Sequence, residues 1–97
     1  MMKICLLGAS GSIGTQTLDV INKHPEDFSL ISFSIGNQTR KVSSIINKNH
    51  NVKAICLAKK SKANYYQNKY PNIKFFYGDE GLNELIKFVK PDMVVNA

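Results

Sequence analysis

The 97-residue chain contains no tryptophan, only three prolines and two cysteines, and not one Asp or Glu between Phe28 and Gly78. Each shortage excludes something. Cys5 and Cys56 sit far apart inside apolar runs rather than in a Cys-x-x-Cys pattern. That argues against a thiolate metal site or a redox pair, and for two small buried strand residues with free thiols. The longest apolar runs are strand-sized, so no membrane-spanning helix is expected. Met1-Met2-Lys3 leads into an apolar run that Gly8 interrupts too soon for a signal peptide, and the expected location is the cytoplasm. His24 borders a proline and His50 lies in a polar stretch, so both read as surface residues rather than ligands or bases. Asp19, Asp79, Glu80, Glu84 and Asp92 show no ligand spacing, and no metal site is expected within the chain.

The missing acids leave a net charge of +6. The cations Arg40, Lys41, Lys48, Lys53, Lys59, Lys60, Lys62, Lys69 and Lys74 fill the acid-free block. Such a block attracts anions, although most of it reads as a solvated lysine-rich surface. Hydrophobic residues at 43% and charged residues at 21% are ordinary for a globular domain. The length fits one small domain, 1–97, without repeats or linkers.

Apolar patterning alternates between strand and helix. Lys3 to Leu7 is a short apolar run ending on Gly8, as a buried parallel strand does. A helix follows from Ser12, with Ile13, Thr17, Val20 and Ile21 on one face, and His24-Pro25 ends it. Phe28 to Ile35 is the second strand, closing on Gly36. Val42, Ile45 and Ile46 place a second helix over Thr39 to Lys48. Val52 to Leu57 is the third strand, and Ser61 is the expected cap of a third helix carrying Ala63, Tyr66 and Tyr70. Ile73 to Tyr77 is the fourth strand. Asp79 is the expected cap of a helix with Leu82, Leu85, Ile86 and Val89 on one side, ended by Pro91. Met93-Val94-Val95 begins a fifth strand. Strands separated by helices, without hairpin signals, imply an α/β fold: a Rossmann-type parallel sheet, helices on both faces, expected strand order 3-2-1-4-5.

Between the first strand and first helix lies Gly8-Ala9-Ser10-Gly11-Ser12-Ile13-Gly14. Gly8 permits the turn off the strand, Gly11 clears the approach of a pyrophosphate to the backbone, and Gly14 allows close helix–strand packing. The helix start offers free N–H groups and partial positive charge to phosphates, and Ser10 and Ser12 add hydroxyls. A glycine trio alone is weak evidence; its place between a strand and a helix is the context that makes it a dinucleotide loop. An NAD site places an acid about 20 residues on, at the end of the second strand. Here that neighbourhood reads Ser34-Ile35-Gly36-Asn37-Gln38-Thr39-Arg40, without an acid. Ser34, Asn37, Gln38 and Arg40 can donate to a 2′-phosphate, which favours NADP(H), although Arg40 is equally compatible with an exposed helix-start residue.

The run Gly8 to Ile21, with Thr17-Leu18-Asp19-Val20 after the glycines and His24-Pro25-Glu26-Asp27-Phe28 beyond, closely resembles the opening of 1-deoxy-D-xylulose 5-phosphate reductoisomerases. Asp92 to Ala97 resembles that family's fifth strand. The resemblance implies an NADPH-binding segment of an oxidoreductase of non-mevalonate isoprenoid biosynthesis. Such an enzyme rearranges 1-deoxy-D-xylulose 5-phosphate and reduces the aldehyde with NADPH and Mg²⁺ or Mn²⁺, yielding 2-C-methyl-D-erythritol 4-phosphate. It implies that Ser10, Gly11, Ser12 and Ile13 meet the cofactor phosphates, and that Gly36, Asn37 and Gln38 meet the ribose phosphate. The family more often has a basic residue and then Asn after that glycine, so Asn37-Gln38 departs from its pattern. The metal-binding acids, substrate ligands and lid are expected beyond Ala97, so the chain alone is expected to be inactive, and the parent a homodimer. No catalytic residue, nucleic-acid partner or membrane contact is expected. Two other readings stand beside this one. Another NADP-dependent reductase, semialdehyde dehydrogenase-like, would need a catalytic cysteine further along. A basic nucleic-acid-binding module lacks a recognition helix or aromatic platform to support it.

Overall fold

In the computed structural model, which describes residues 1–97, the apolar runs become five parallel strands and four helices in strict alternation. They are β1 (Met2–Leu7), α1 (Ser12–Lys23), β2 (Phe28–Ile35), a 3-10 turn (Thr39–Lys41) running into α2 (Val42–Lys48), and β3 (Ala54–Leu57). Then come α3 (Lys60–Lys69), β4 (Lys74–Tyr77), α4 (Gly78–Val89) and β5 (Met93–Asn96). Two expected caps fall inside their helices. Lys59 rather than Ser61 precedes α3, and Tyr77 rather than Asp79 precedes α4.

The parallel Rossmann-type sheet with helices on both faces is present, but its strand order is β4-β3-β2-β1-β5, not 3-2-1-4-5. The fourth strand lies on the far edge beside β3, and the fifth takes the place beside β1. The reason lies in α3. Its buried residues, Ala63 and Tyr66, pack over β3 and β4. Tyr66 and Tyr70 stack against Phe75 of β4 at centroid distances of 6.1 and 6.5 Å. Gln67 accepts a hydrogen bond from Phe75 N–H at 2.9 Å and donates to the Ile73 carbonyl at 2.7 Å. These contacts moor β4 on the outer edge, and α4 then carries the chain back across the sheet.

The two faces are built differently. On one, α1, α2 and α3 cover large side chains that include Ile4, Leu6, Phe33, Ile35, Ile55, Leu57 and Phe75. On the other, α4 alone covers Cys5, Ala54 and Cys56, using Leu82, Leu85, Ile86 and Val89. Small strand residues let α4 lie close: a Cβ at Gly81 would stand 3.0 Å from Cys56 Sγ. Leu85 is fully buried there, a contribution of about 1.5–3 kcal/mol. Both cysteines are buried free thiols.

One irregularity positions the functional end of the sheet. The β1–β2 register runs Ile4↔Leu30 and then Cys5↔Ser32, leaving Ile31 as the extra residue of a bulge. This shift decides that Ser34, a polar residue in an otherwise apolar strand end, arrives beside the loop that follows β1.

Candidate functional site

The loop from Gly8 to Gly14 leaves the carboxyl end of β1 and enters α1, next to the end of β2. Its shape is fixed by two glycines. Gly8 has φ +82°, a left-handed conformation that side chains resist. A Cβ at Gly14 would lie 2.2 Å from the Gly8 carbonyl oxygen, so only glycine lets α1 start this close to the strand. From the other side, Gly8 N–H donates to Ser34 Oγ and Ala9 N–H to the Ser34 carbonyl, both at 2.9 Å. Ser34 therefore latches the start of the loop through side chain and backbone together.

Past that latch the loop is unsatisfied. The first bond of α1 runs from Thr15 N–H to the Gly11 carbonyl at 2.8 Å, and Gly11 has no side chain to cap the helix. The amides of Ser10, Gly11, Ser12, Ile13 and Gly14 donate to no protein acceptor. A run of free amides at a helix start is a preformed anion-binding surface. No acidic residue occupies the first turn of α1 to fill it.

Two further glycines are not demanded by packing. A Cβ at Gly11 would meet nothing nearer than the Gly8 carbonyl oxygen at 4.0 Å, and one at Gly36 would meet nothing within 4 Å. Neither has positive φ. What both provide is clear access to the backbone from outside, at the same end of the sheet. Ser12 and Ile13 are exposed there, Ile13 at 62% despite being aliphatic, and Gly36, Asn37 and Gln38 are exposed across the gap.

The structure thus brings the glycine loop and the end of β2 together as the sequence implied. Arg40 is exposed on the 3-10 turn and makes no hydrogen bond or ion pair. Its neighbour Lys41 reaches the loop instead, with Nζ 3.3 Å from the Ser10 carbonyl oxygen. The sequence offered Ser34 as a 2′-phosphate donor, whereas its buried hydroxyl oxygen accepts from Gly8 N–H, and it gave Lys41 no role of its own. A polar residue ending a buried parallel strand was the available signal for Ser34; nothing distinguished Lys41 from the other lysines.

Other groups are arranged for structure or solvent. Tyr66 OH donates to the Thr39 carbonyl at 3.0 Å and Tyr70 OH pairs with Ser43 Oγ at 2.6 Å, so these tyrosines pack and brace. Burial, with lesser contributions from Glu84, Asp79 and Cys5, pushes the Cys56 thiol up to about 11, which makes it a poor nucleophile. His24, Glu26 and Asp27 bring their ligand-type atoms within 4.8 Å of one another, though all are exposed and lie ahead of β2, at the end of the sheet opposite the glycine loop. No helix is long and apolar enough to cross a membrane.

The 1-deoxy-D-xylulose 5-phosphate reductoisomerase family model matches residues 4–97. The reductoisomerase of Listeria welshimeri serovar 6b is 39% identical over 97 residues, covering all of this chain and 25% of the relative. That of Macrococcus caseolyticus is 38% identical over the same span. The chain thus spans about a quarter of the length of these relatives. A crystal structure of DOX-P reductoisomerase in complex with NADPH, fosmidomycin and magnesium superposes with a TM-score of 0.85 at 26% identity, covering 97% of this chain and 24% of that one. The Zymomonas mobilis enzyme in complex with NADPH shares the fold, with a TM-score of 0.81 at 22% identity over 96% of this chain and 24% of that one. These matches favour the reductoisomerase resemblance over a semialdehyde dehydrogenase-like reductase, and the chain belongs to the 1-deoxy-D-xylulose 5-phosphate reductoisomerase family.

Proposed function

We propose that this chain is the NADPH-binding segment of an enzyme that converts 1-deoxy-D-xylulose 5-phosphate to 2-C-methyl-D-erythritol 4-phosphate in the non-mevalonate route to isoprenoids. The observation that carries the reading is the run of free amides from Ser10 to Gly14, beside backbone that Gly11 and Gly36 leave open. In this reading the amides of Gly11, Ser12 and Ile13 hold the pyrophosphate, with Ser10 and Ser12 hydroxyls adding donors. Gly8 and Gly14 set the loop's shape. Gly36, Asn37 and Gln38 meet the adenosine ribose and its 2′-phosphate, and Arg40 adds long-range positive charge. NADPH supplies hydride to the rearranged aldehyde; this chain's part is to fix one half of the cofactor and align the rest. The divalent metal, Mg²⁺ or Mn²⁺, belongs with residues outside this chain, because the only clustered ligand-type groups here are exposed at the wrong end of the sheet. The parent is placed in the cytoplasm as a homodimer, without nucleic-acid or membrane partners.

Calorimetric titration of the chain with NADPH and NADH tests the reading. Saturable NADPH binding that exceeds NADH binding is expected. A chain that is folded by circular dichroism yet binds neither cofactor would overturn it. Incubating the chain with substrate, NADPH and Mn²⁺ is expected to give no turnover above background, and measurable turnover would place the catalytic groups within residues 1–97.

A further inference from the structure

We propose that Lys41 is the residue that selects NADPH over NADH, its ammonium group binding the 2′-phosphate in the gap between the glycine loop and the end of β2. The proposal rests on the reading above that this end of the sheet binds the dinucleotide. Lys41 Nζ lies 3.3 Å from the Ser10 carbonyl oxygen, a contact that spans 31 positions of sequence and is partly shielded from solvent. The side chain is therefore held at the loop rather than extended into water. The carbonyl takes one N–H of the ammonium and leaves the others free for an acceptor.

No carboxylate competes for that charge. The ion pairs of the chain are Lys23–Asp19 and His24–Glu26, and the sequence from Phe28 to Gly78 is free of acids. Asp19 lines the same α1–α2 groove as Lys41 but is already engaged by Lys23 at 3.0 Å. Asn37 and Gln38, next to Gly36, bring dipoles without charge. Arg40 makes no bond to the loop, whereas Lys41 does. Among the cations near the end of β2, Lys41 is the one tied to the glycine loop, next to amides that have no acceptor of their own. A phosphate dianion on the ribose 2′ position suits a held ammonium; NADH presents only a hydroxyl there.

A lysine that merely straps Ser10 in place would give a different result, because a displaced loop weakens every dinucleotide equally. The experiment is calorimetric titration of the 97-residue chain and its Lys41→Gln, Lys41→Arg and Arg40→Gln variants. The probes are NADPH, NADH, adenosine 2′,5′-bisphosphate and AMP. Lys41→Gln is expected to weaken NADPH and adenosine 2′,5′-bisphosphate by about tenfold, and NADH and AMP by less than about twofold. Lys41→Arg is expected to recover most of the loss, since it restores the charge. Equal weakening of all four probes, no weakening, or the larger loss in Arg40→Gln would each overturn the proposal. So would equal binding of NADPH and NADH by the unsubstituted chain, which leaves the loop reading standing. A folded chain that binds neither overturns the cofactor reading itself, and this proposal with it.

Discussion

Helices α1 and α4 are each 12 residues long, and each follows a strand through a glycine of positive φ, +82° at Gly8 and +72° at Gly78. Their N-termini are nevertheless opposite in kind. Helix α4 carries Asp79 and Glu80 in its first turn, so its positive end is met by its own carboxylates. Helix α1 has no acid in its first turn and a glycine at its cap position. A helix that only has to fold supplies its own counter-charge. One that leaves out an available stabilisation of about 0.3–1 kcal/mol, together with a side-chain cap, keeps that surface for something outside the chain.

Substitutions at the two helix starts separate binding from folding. The largest effect is expected from Gly14→Ala, whose Cβ would overlap the Gly8 carbonyl at 2.2 Å. Denaturant unfolding should show a loss of about 3 kcal/mol or more, with NADPH binding lost beyond detection. Next comes Gly11→Asp, which makes α1 resemble α4. The backbone there, φ −78° and ψ 177°, accepts any residue. An aspartate would cap the free amides, so stability should hold or rise by about 0.5–1 kcal/mol while NADPH affinity falls about 100-fold. A variant that unfolds instead would mean the open end of α1 is a packing requirement.

The converse change, Asp79→Asn with Glu80→Gln, should cost about 0.5 kcal/mol in chemical unfolding and leave NADPH affinity untouched. A further effect appears only at high pH and concerns Cys56, whose thiol is pushed from 9.0 to about 11 mainly by burial, then by Glu84 and Asp79. The folded thiol stays protonated after the unfolded one has ionised. This contribution to stability is therefore full below about pH 9 and is lost as pH rises toward about 11. Unfolding midpoints measured across that window should fall, less so in Cys56→Ala. Asp79→Asn should alter the slope only slightly, because burial is the larger cause.

What could be read from the sequence was local. Phe28 to Ile35 is a strand over the expected residues, and Leu82, Leu85, Ile86 and Val89 form the expected inner side of α4. The glycine loop was readable because its turn, its open approach and its close packing each demand the same residue type. Strand order was not, because it rests on Gln67 and the Tyr66–Tyr70–Phe75 stack holding β4 to α3, tertiary contacts that leave no periodic trace. Ser34 depends on a bulge that shifts the β1–β2 register, and Lys41 on the path of a 3-10 turn. Such placements follow from where elements pack, not from the residues' immediate neighbours.

Strand β1 pairs on one side with β2, close in sequence, and on the other with β5. Lys3 N–H donates to the Asp92 carboxylate at 2.8 Å across 89 positions, Asp92 N–H returns a bond to the Lys3 carbonyl at 2.8 Å, and Ala97 N–H donates to the Leu7 carbonyl at 2.9 Å. The strand that bears the glycine loop is thus closed on one edge by a segment about 90 positions away, and closing so long a loop carries an entropic cost that nearer pairings do not. Without β5 that strand would have one open edge, and the Ala97 carbonyl oxygen, 2.9 Å from where a Cβ at Gly8 would stand, would no longer border the turn. The shape of the glycine loop therefore depends on a pairing that is remote in sequence, and loosening β5 would disturb the loop without touching any of its residues.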